Sequence, residues 1–535
     1  MNYSKISEAT NAYDDLPYPA YSFAATHVAH LGGIGRIFSL ATALPANCRV
    51  LELGCASGVN LLGMAQDYPE AQFFGVDYSS RQIGEANEIL SITGLKNVKF
   101  ICKDIRSLHE QNLGKFDYII VHGIYSWVDA ATQDAVLTIC SENLNTHGVA
   151  YVSYNCLPGW SMRGALRDMM LMHTGGIPDI KEKVLQAKAL IKFLANSSSD
   201  QSPYGKYLQQ ELAMLQNVDN SYIAHDFLEE NNSPLYFNGF VTAAAGKKLV
   251  YLGDADPSTM VVDNLPEAPA KTLKELNLNL LATEQYMDFL RNRMFRSTLL
   301  CHADSKLDRS VDPARLSGLE VTSNITLKEQ LGKKDNTIFL NLHGDELTVN
   351  DPITVELFTQ VASLGRKSKP CDELIESVVK VLSSKFEIKD AEVVKSDIGR
   401  VLLNGYFKKM VDLIVGPLSV RHAASINPEA LPLARWQASN GLKVSSPRLD
   451  MIDADQFVGK FITLCDGTRD RTALIEAMAE SLGKHEFILN ENNKPIKDPD
   501  RARKVIETLY NGVLNNLIQV GIILPGTSEE NEGAL

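Results

Sequence analysis

The sequence predicts an α/β protein, with a doubly wound sheet in its N-terminal part, a helical insertion, and a mostly helical, winged-helix-like C-terminal region. Three observations predict it. Short β-rich runs alternate with helical stretches from Arg49 to Ser153. The strands are continuously apolar, as in Tyr118-Ile119-Ile120-Val121, the pattern of a parallel sheet covered on both faces. Beyond Thr322 a helical pattern occurs twice. The chain has 535 residues, more than the roughly 250–300 at which one core stops growing, so two or three domains are expected.

The expected strands are Arg49–Leu53, Gln72–Asp77, Val98–Cys102, Phe116–Val121 and Gly148–Tyr154. Helices follow at Met162–His173 and Pro178–Leu194, stopped by the breaker run Asn196-Ser197-Ser198-Ser199-Asp200. Two more strand-like runs, Leu249–Leu252 and Ser297–Cys301, come after the helical stretches Phe240–Ala245 and Glu284–Arg293. They either complete the first sheet or belong to a separate middle domain. The expected domains are therefore a core at 1–160, a helical insertion at 161–225, a segment at 226–310 open to both readings, and a duplicated region at 323–535.

In the duplication, Phe358, Leu364, Leu374, Ile375, Glu376 and Val378 recur 100 positions later as Val458, Leu464, Leu474, Ile475, Glu476 and Met478. A second helix repeats at a longer offset, with Asn404-Gly405 and Met410-Val411 answered by Asn511-Gly512 and Leu517-Ile518. Each copy ends in an apolar stretch, Leu413–Val415 or Gly521–Leu524, suited to a wing strand. Neither copy has a basic, exposed recognition helix, so a structural or substrate-presenting role is expected rather than DNA binding.

A formal net charge of −13 repels a phosphate backbone, and basic clusters are as short as Arg366-Lys367-Ser368-Lys369, so no nucleic-acid partner is expected. The eight cysteines contain no C-x-x-C pair and no zinc spacing; free thiols and no metal are expected. No apolar leader precedes the core and no run approaches the ~18 apolar residues that span a bilayer, so a cytoplasmic protein is expected. The acidic tail Ser528–Gly533 has nothing to bury.

The first strand runs into Glu52-Leu53-Gly54-Cys55-Ala56-Ser57-Gly58, where small residues at 54, 56 and 58 let the backbone turn tightly against a ligand. Nineteen residues after Gly58, Asp77 ends the second strand, placed to accept ribose hydroxyls, with Tyr78 beside it. Asp104, followed by Ile105, ends the third strand where an adenine would lie. Alone the glycine loop is a common strand-to-helix turn. Three successive strand ends carrying Glu52/Gly54, Asp77 and Asp104 together point to a nucleoside cofactor. An NAD-dependent oxidoreductase shares the second acidic residue, but the Gly-x-Ala-x-Gly spacing and Asp104 argue against it.

These residues resemble the class I, Rossmann-like methyltransferases that use S-adenosylmethionine; the usual central glycine of their first motif is Ala56 here. The likeness is closest to methyltransferases carrying a regulatory-domain segment, among them the rickettsial lysine methyltransferases of outer membrane protein B. It is carried by Leu16–Pro19, His122–Val128, Tyr151–Trp160, Leu166–Met170, His225–Glu229, Glu284–Leu290 and Cys465–Arg471. The resemblance implies methylation of lysine side chains on a protein substrate, an outer membrane protein in those relatives. A small-molecule or nucleic-acid acceptor, or a silent cofactor-binding protein, is the alternative. The oligomeric state, monomer or homodimer, is left open.

A lysine amine, with a free pKa of about 10.4, must lose its proton before it can accept a methyl group, and an apolar aromatic pocket favours the neutral form. His122, Tyr125, Trp127, Tyr154 and Trp160, at the ends of the fourth and fifth strands, are the candidates for the acceptor site, with Asn155 in the same run. Packing beneath the insertion is the competing explanation for the aromatics, and a satisfied strand-end histidine for His122. Tyr18, Tyr21 and His27 are candidates to lid the cofactor, or to form a simple docked arm. The region 323–535 is expected to serve the protein substrate and to be dispensable for the cofactor.

Overall fold

The computed structural model describes residues 21–330, 336–341, 344–418, 425–491, 494–496 and 498–524. Tyr18, the Leu16–Pro19 run and the acidic tail lie outside the described residues. Seven strands form the central sheet: β1 (Arg49–Leu53), β2 (Gln72–Asp77), β3 (Val98–Cys102), β4 (Phe116–Val121), β5 (Leu144–Asn155), β6 (Leu249–Asp254) and β7 (Phe295–His302). Their order is β3-β2-β1-β4-β5-β7-β6. The first five are parallel, with Val50 beside both Phe73 and Tyr118, whereas β7 runs antiparallel to β5 and β6. The two late strands thus lie in the same sheet as the first five, and the sheet is mixed rather than wholly parallel. The strand order reverses between β1 and β4, which opens a crevice at their C-terminal ends.

Helices cover both faces, beginning with α1 (Val28–Ile37), α2 (Val59–Ala65), α3 (Ser80–Thr93) and α4 (Ala130–Asn143). Strand parity divides the core. Tyr118, Ile120, Val149 and Tyr151 pack with α1, and Ile119, Val121, Val152 and Tyr154 pack on the other face. The insertion is four helices, α5 (Trp160–Thr174), α6 (Ile180–Ser197), α7 (Pro203–Gln216) and α8 (Asn220–Phe227), with their own apolar core of residues such as Leu166, Ile191, Leu208 and Phe227. Next come α9 (Phe237–Gly246), α10 (Glu267–Glu275) and α11 (Leu280–Arg291). Arg296 is fully buried on β7 because it bonds Asp288 (2.8 Å) and Glu284 (2.8 Å) of α11, which compensates its desolvation.

The C-terminal region contains two related units. In the first, β8 (Leu319–Ser323) pairs with two short strands, Ser368–Pro370 and Val411–Val415, which bracket α13 (Cys371–Lys385) and α14 (Ala391–Phe407) and follow α12 (Pro352–Ser363). In the second, Glu429–Ala430 bridges to Asp466 and Ile523 around α16 (Gln456–Leu464), α17 (Arg471–Gly483) and α18 (Pro499–Gln519), after α15 (Pro432–Ser439). One expected equivalence is corrected. Met410 lies beyond the end of α14 and Leu517 inside α18; the matching helix ends are Met410 N–H to Gly405 O and Ile522 N–H to Leu517 O, both 2.9 Å. The longer last helix moved the offset, which residue identities alone did not register. Strand β8 also begins before 323, the expected edge of this region.

The first unit is not a separate body. Its strand Val411–Val415 packs against α1, where a Cβ on Gly33 would come 2.2 Å from the Leu413 carbonyl oxygen. At this junction His30 Nδ1 lies 3.2 Å from an Asp412 carboxylate oxygen and Nε2 lies 2.8 Å from the Ala255 carbonyl oxygen. A ring facing acceptors at both nitrogens is an imidazolium. Burial alone would lower its pKa, but the Asp412 charge and hydrogen bond, the Ala255 carbonyl and the Asp256 charge outweigh it and hold it up at about 9. Asp412 sits below its usual range because, against burial, His30 and Arg448 favour its charged form. The folded histidine value exceeds the ordinary 6.5, so this stabilisation is complete below that pH and is lost as pH rises through about 9. Thermal melts should therefore lose ~1–3 kcal/mol more between those limits in the parent than in Asp412→Asn; parallel curves would discount the pair.

Candidate active site

At the crevice lies a cavity of about 910 Å³, walled by the ends of β1, β2, β4 and β5, the segment before α1, and the helical insertion. Its floor is the loop after β1. Gly54, Ala56 and Gly58 all have left-handed backbones, at φ +73°, +47° and +74°. Glycine is required at two of them, since a Cβ would come 2.2 Å from the Ile124 side chain at 54 and 2.2 Å from the Phe100 ring at 58. At Ala56 the strained conformation, which costs about 1–2 kcal/mol, is held by Asp77, whose Oδ2 accepts the Ala56 N–H at 2.9 Å. Asp77 Oδ1 accepts the Ser79 N–H at 2.9 Å. The residues 54, 56, 77 and 78 all line the cavity, and Tyr78 is 68% exposed at its rim. Gly58 shapes the loop without lining it.

Glu52 lies beneath this loop, 4% exposed, with Oε1 accepting from Asn60 Nδ2 at 2.9 Å and Oε2 without a partner. Burial, offset in part by the Asn60 hydrogen bond and reinforced by the Asp77 charge, pushes its carboxyl up to about 8. A buried oxygen with no donor suits a ligand that brings one, such as the ammonium of an amino-acid group. Asp104 caps the turn beginning at Ile105, and both line the cavity. Its carboxylate is held low by the Arg106 guanidinium, 2.6 Å from Oδ2, a partner absent from the sequence reading. Glu52, Asp77, Asp104 and the small-residue loop together fit an adenosine-bearing cofactor with an amino-acid tail.

His122, at the end of β4, also lines the cavity. Its Nδ1 is 2.9 Å from the Tyr151 hydroxyl, itself 2.9 Å from Ser297 Oγ, and its ring lies 3.8 Å from that of Phe23. Burial pushes its pKa down to about 4, leaving it neutral at pH 7. Phe23 and Tyr21 also line the cavity. The Phe23 N–H donates to Asn60 Oδ1 (3.0 Å), and Ser22 Oγ bonds Ser445 Oγ (3.0 Å) in the second C-terminal unit. His27 does not line the cavity; it caps α1 by accepting the Ala29 N–H.

Away from the loop, Trp127 and Trp160 meet edge to face, 6.1 Å apart at 83°. Trp160 Nε1 donates to Asn232 Oδ1 at 2.8 Å. Two expected acceptor residues are corrected. Tyr125 and Tyr154 are buried against Phe240, with the Tyr154 hydroxyl 3.0 Å from Thr298 Oγ1, and neither lines the cavity. For Tyr154 strand alternation explains it: it points to the sheet face that packs on Phe240, and Asn155 lines the cavity instead, its buried Nδ2 without a partner. Sequence reasoning also gave no role to Phe23, Arg163, Tyr222, Asp226 or Glu229, which line the cavity. Most come from the insertion and the loop after it, and only the His225–Glu229 run, quoted for family likeness, marked any of them.

Among the described residues no cluster of metal-ligating side chains occurs and no helix is long and apolar enough to cross a membrane. A "Methyltransferase domain" family matches residues 44–213, a "Predicted methyltransferase regulatory domain" matches 219–302, and a "PKMT, C-terminal winged helix domain" matches 427–522. An uncharacterized protein of Rickettsia prowazekii, RP789, is 32% identical over 529 residues, 96% of this chain and 94% of that one. The structure of PKMT2 from Rickettsia typhi in complex with AdoHcy is 29% identical, with a TM-score of 0.83 over 95% of this chain and 100% of that chain.

Proposed function

Because the chain belongs to the family of S-adenosylmethionine-dependent methyltransferases that join a methyltransferase domain, a regulatory domain and a PKMT winged-helix domain, we propose that it methylates lysine side chains of a protein. When bound, S-adenosylmethionine supplies a methyl group on an electrophilic sulfonium. The chain's own residues must bind it, align an acceptor in line and exclude water. The loop at Gly54–Gly58 with Asp77 and Asp104 suits the adenosine, and Glu52 suits the ammonium of the amino-acid tail.

The observation that supports a lysine acceptor is the far end of the cavity. The crossed indoles of Trp127 and Trp160 give it apolar walls, and Asp226 and Glu229 give it carboxylates. A lysine presents an apolar stem and a cationic tip, which such a channel matches. A protein acceptor, an outer membrane protein by analogy with the resembling enzymes, is favoured over nucleic acid by the net charge of −13. All eight cysteines are free thiols, which fits a reducing cytoplasm.

The test is transfer from labelled S-adenosylmethionine to an unfolded outer membrane protein, poly-L-lysine and total RNA, with digestion and mass spectrometry of the products. Label on lysine is expected; label on RNA alone, or on other side chains alone, would overturn the reading. Trp160→Ala, which removes one indole wall and leaves Asn232 Oδ1 unpaired, should slow transfer by about tenfold or more while the cofactor dissociation constant changes little. Its deficit should shrink as pH rises toward about 10, where the free amine is neutral in water. A lower melting temperature with a parallel pH–rate profile would mean that Trp160 only packs.

A further inference from the structure

The loop after α8, residues 229–235, has no regular structure, yet it is tied at several points to the elements that wall the acceptor end of the cavity. The Ser233 N–H donates to the Ser126 carbonyl (2.7 Å) beside Trp127, and the Leu235 N–H donates to the Asn155 carbonyl (3.0 Å) at the end of β5. Asn232 Oδ1 accepts from Trp160 Nε1 (2.8 Å), and the Glu230 carbonyl accepts from Arg167 Nη2 (3.3 Å). Arg167 in turn lies over the Trp127 ring at 5.6 Å. The loop is therefore held against both indoles, and its first residue, Glu229, lines the cavity with them.

We propose that Glu229 is the catalytic base of the methyl transfer, receiving the lysine ammonium between Trp127 and Trp160 and taking its proton. The assignment rests on the lysine reading above. The proton leaves the ammonium for a Glu229 carboxylate oxygen, giving a neutral amine and a neutral carboxylic acid. The amine's lone pair then forms the nitrogen–carbon bond as the carbon–sulfur bond breaks and its electron pair stays on sulfur. The product is a methylammonium with one positive charge, and Glu229 returns its proton to solvent before the next turnover.

The carboxylate is oriented by the Glu230 N–H, which donates to Oε1 at 3.2 Å, and a carboxylate keeps further lone pairs for an incoming donor. Burial raises its affinity for a proton, and the Glu230 charge adds to this, while Arg167 from α5 and the Glu230 and Asn231 amides pull the other way; the net direction is up. That direction moves a carboxyl toward the acceptor strength a general base needs at neutral pH. Asp226 on α8 is the neighbouring carboxylate in the cavity, and several other titratable groups there are less suited. His122 at about 4 binds a proton weakly and spends Nδ1 on Tyr151. Glu52 lies under the cofactor loop, bonded to Asn60, and Asp77 holds the loop itself. Arg163 is a cation paired with Glu211 at 3.3 Å.

The experiment compares the full-length parent, Glu229→Gln and Glu229→Asp in single-turnover methyl transfer from S-adenosylmethionine to poly-L-lysine and an unfolded outer membrane protein, from about pH 6 to 10. Glu229→Gln should lose about 100-fold at pH 7 and regain about tenfold per pH unit as bulk water deprotonates the amine. Glu229→Asp should fall between the two, and the cofactor dissociation constant should stay within about threefold in both. A Glu229→Gln rate within about threefold of the parent, with lysine still the labelled residue, overturns the base assignment and leaves the lysine reading intact. A loss equal at every pH also overturns it, because a structural role predicts that result. If Glu229→Gln does not fold, the pH profile of Glu229→Asp decides in the same way. A parent enzyme that labels no lysine overturns the lysine reading instead.

Discussion

A chain ended after residue 310 is expected to lose its folded catalytic domain, and with it cofactor binding. From sequence alone the region beyond 323 looked dispensable for the cofactor, since the nucleoside motifs lie before residue 125. The structure joins the two parts through one apolar core in which Val28, Leu31, Ile34 and Tyr151 pack in the same cluster as Leu319, Val321, Phe358 and Leu413. Uncovering about half a dozen such side chains, at roughly 1.5–3 kcal/mol each when fully exposed, rivals the ~5–15 kcal/mol that keeps a domain folded. Truncation also removes Leu449, whose carbonyl holds Ser22 Oγ at 3.1 Å and whose side chain abuts α2 at Gly63. The segment that carries Tyr21 and Phe23 to the cavity would lose that anchor. Expression, melting curves and calorimetric titration of the truncated chain check this. A soluble product with a cooperative melt and an unchanged dissociation constant for S-adenosylmethionine would refute it.

Replacing Asp77 by alanine should weaken S-adenosylmethionine binding about 30- to 150-fold, equivalent to roughly 2–3 kcal/mol. Two roles combine in this carboxylate. It holds the loop after β1, by accepting the Ala56 and Ser79 amides at 2.9 Å each, and in the proposed cofactor site it would accept from the ribose hydroxyls. Removing it frees Ala56 from a left-handed conformation at φ +47° that its Cβ disfavours, so the loop relaxes as the ribose contacts disappear. Asp77→Asn, which keeps one acceptor oxygen, should lose less. The check is calorimetric titration of both variants. An unchanged dissociation constant in Asp77→Ala would remove this residue from the cofactor site.

Much of the sheet was legible because its information is local. Strands β1 to β4 fall at the residues where continuous apolar runs meet glycine or acidic stops, and Glu52, Asp77 and Asp104 stand at successive strand ends because parallel strands in this fold all present their C-termini to the same crevice. The acceptor end was less legible. An aromatic run at Tyr151–Trp160 suggested Tyr154 as a wall, but a single step of strand parity sends Tyr154 to Phe240 and leaves Asn155 in the cavity.

By itself, then, the sequence determined the α/β class, the small-residue loop with its acidic strand ends, and the helical stretches after the fifth strand, all of which depend on residues close together along the chain. Tertiary structure alone decided the rest. It set β7 antiparallel between β5 and β6, put Glu229 in the same cavity as Trp127 and Trp160, ran Asp412 against His30, and tied Ser22 to Ser445. Each of these depends on contacts across tens to hundreds of residues, whose geometry comes from the packing of whole elements; a single chain's periodicity carries no record of them.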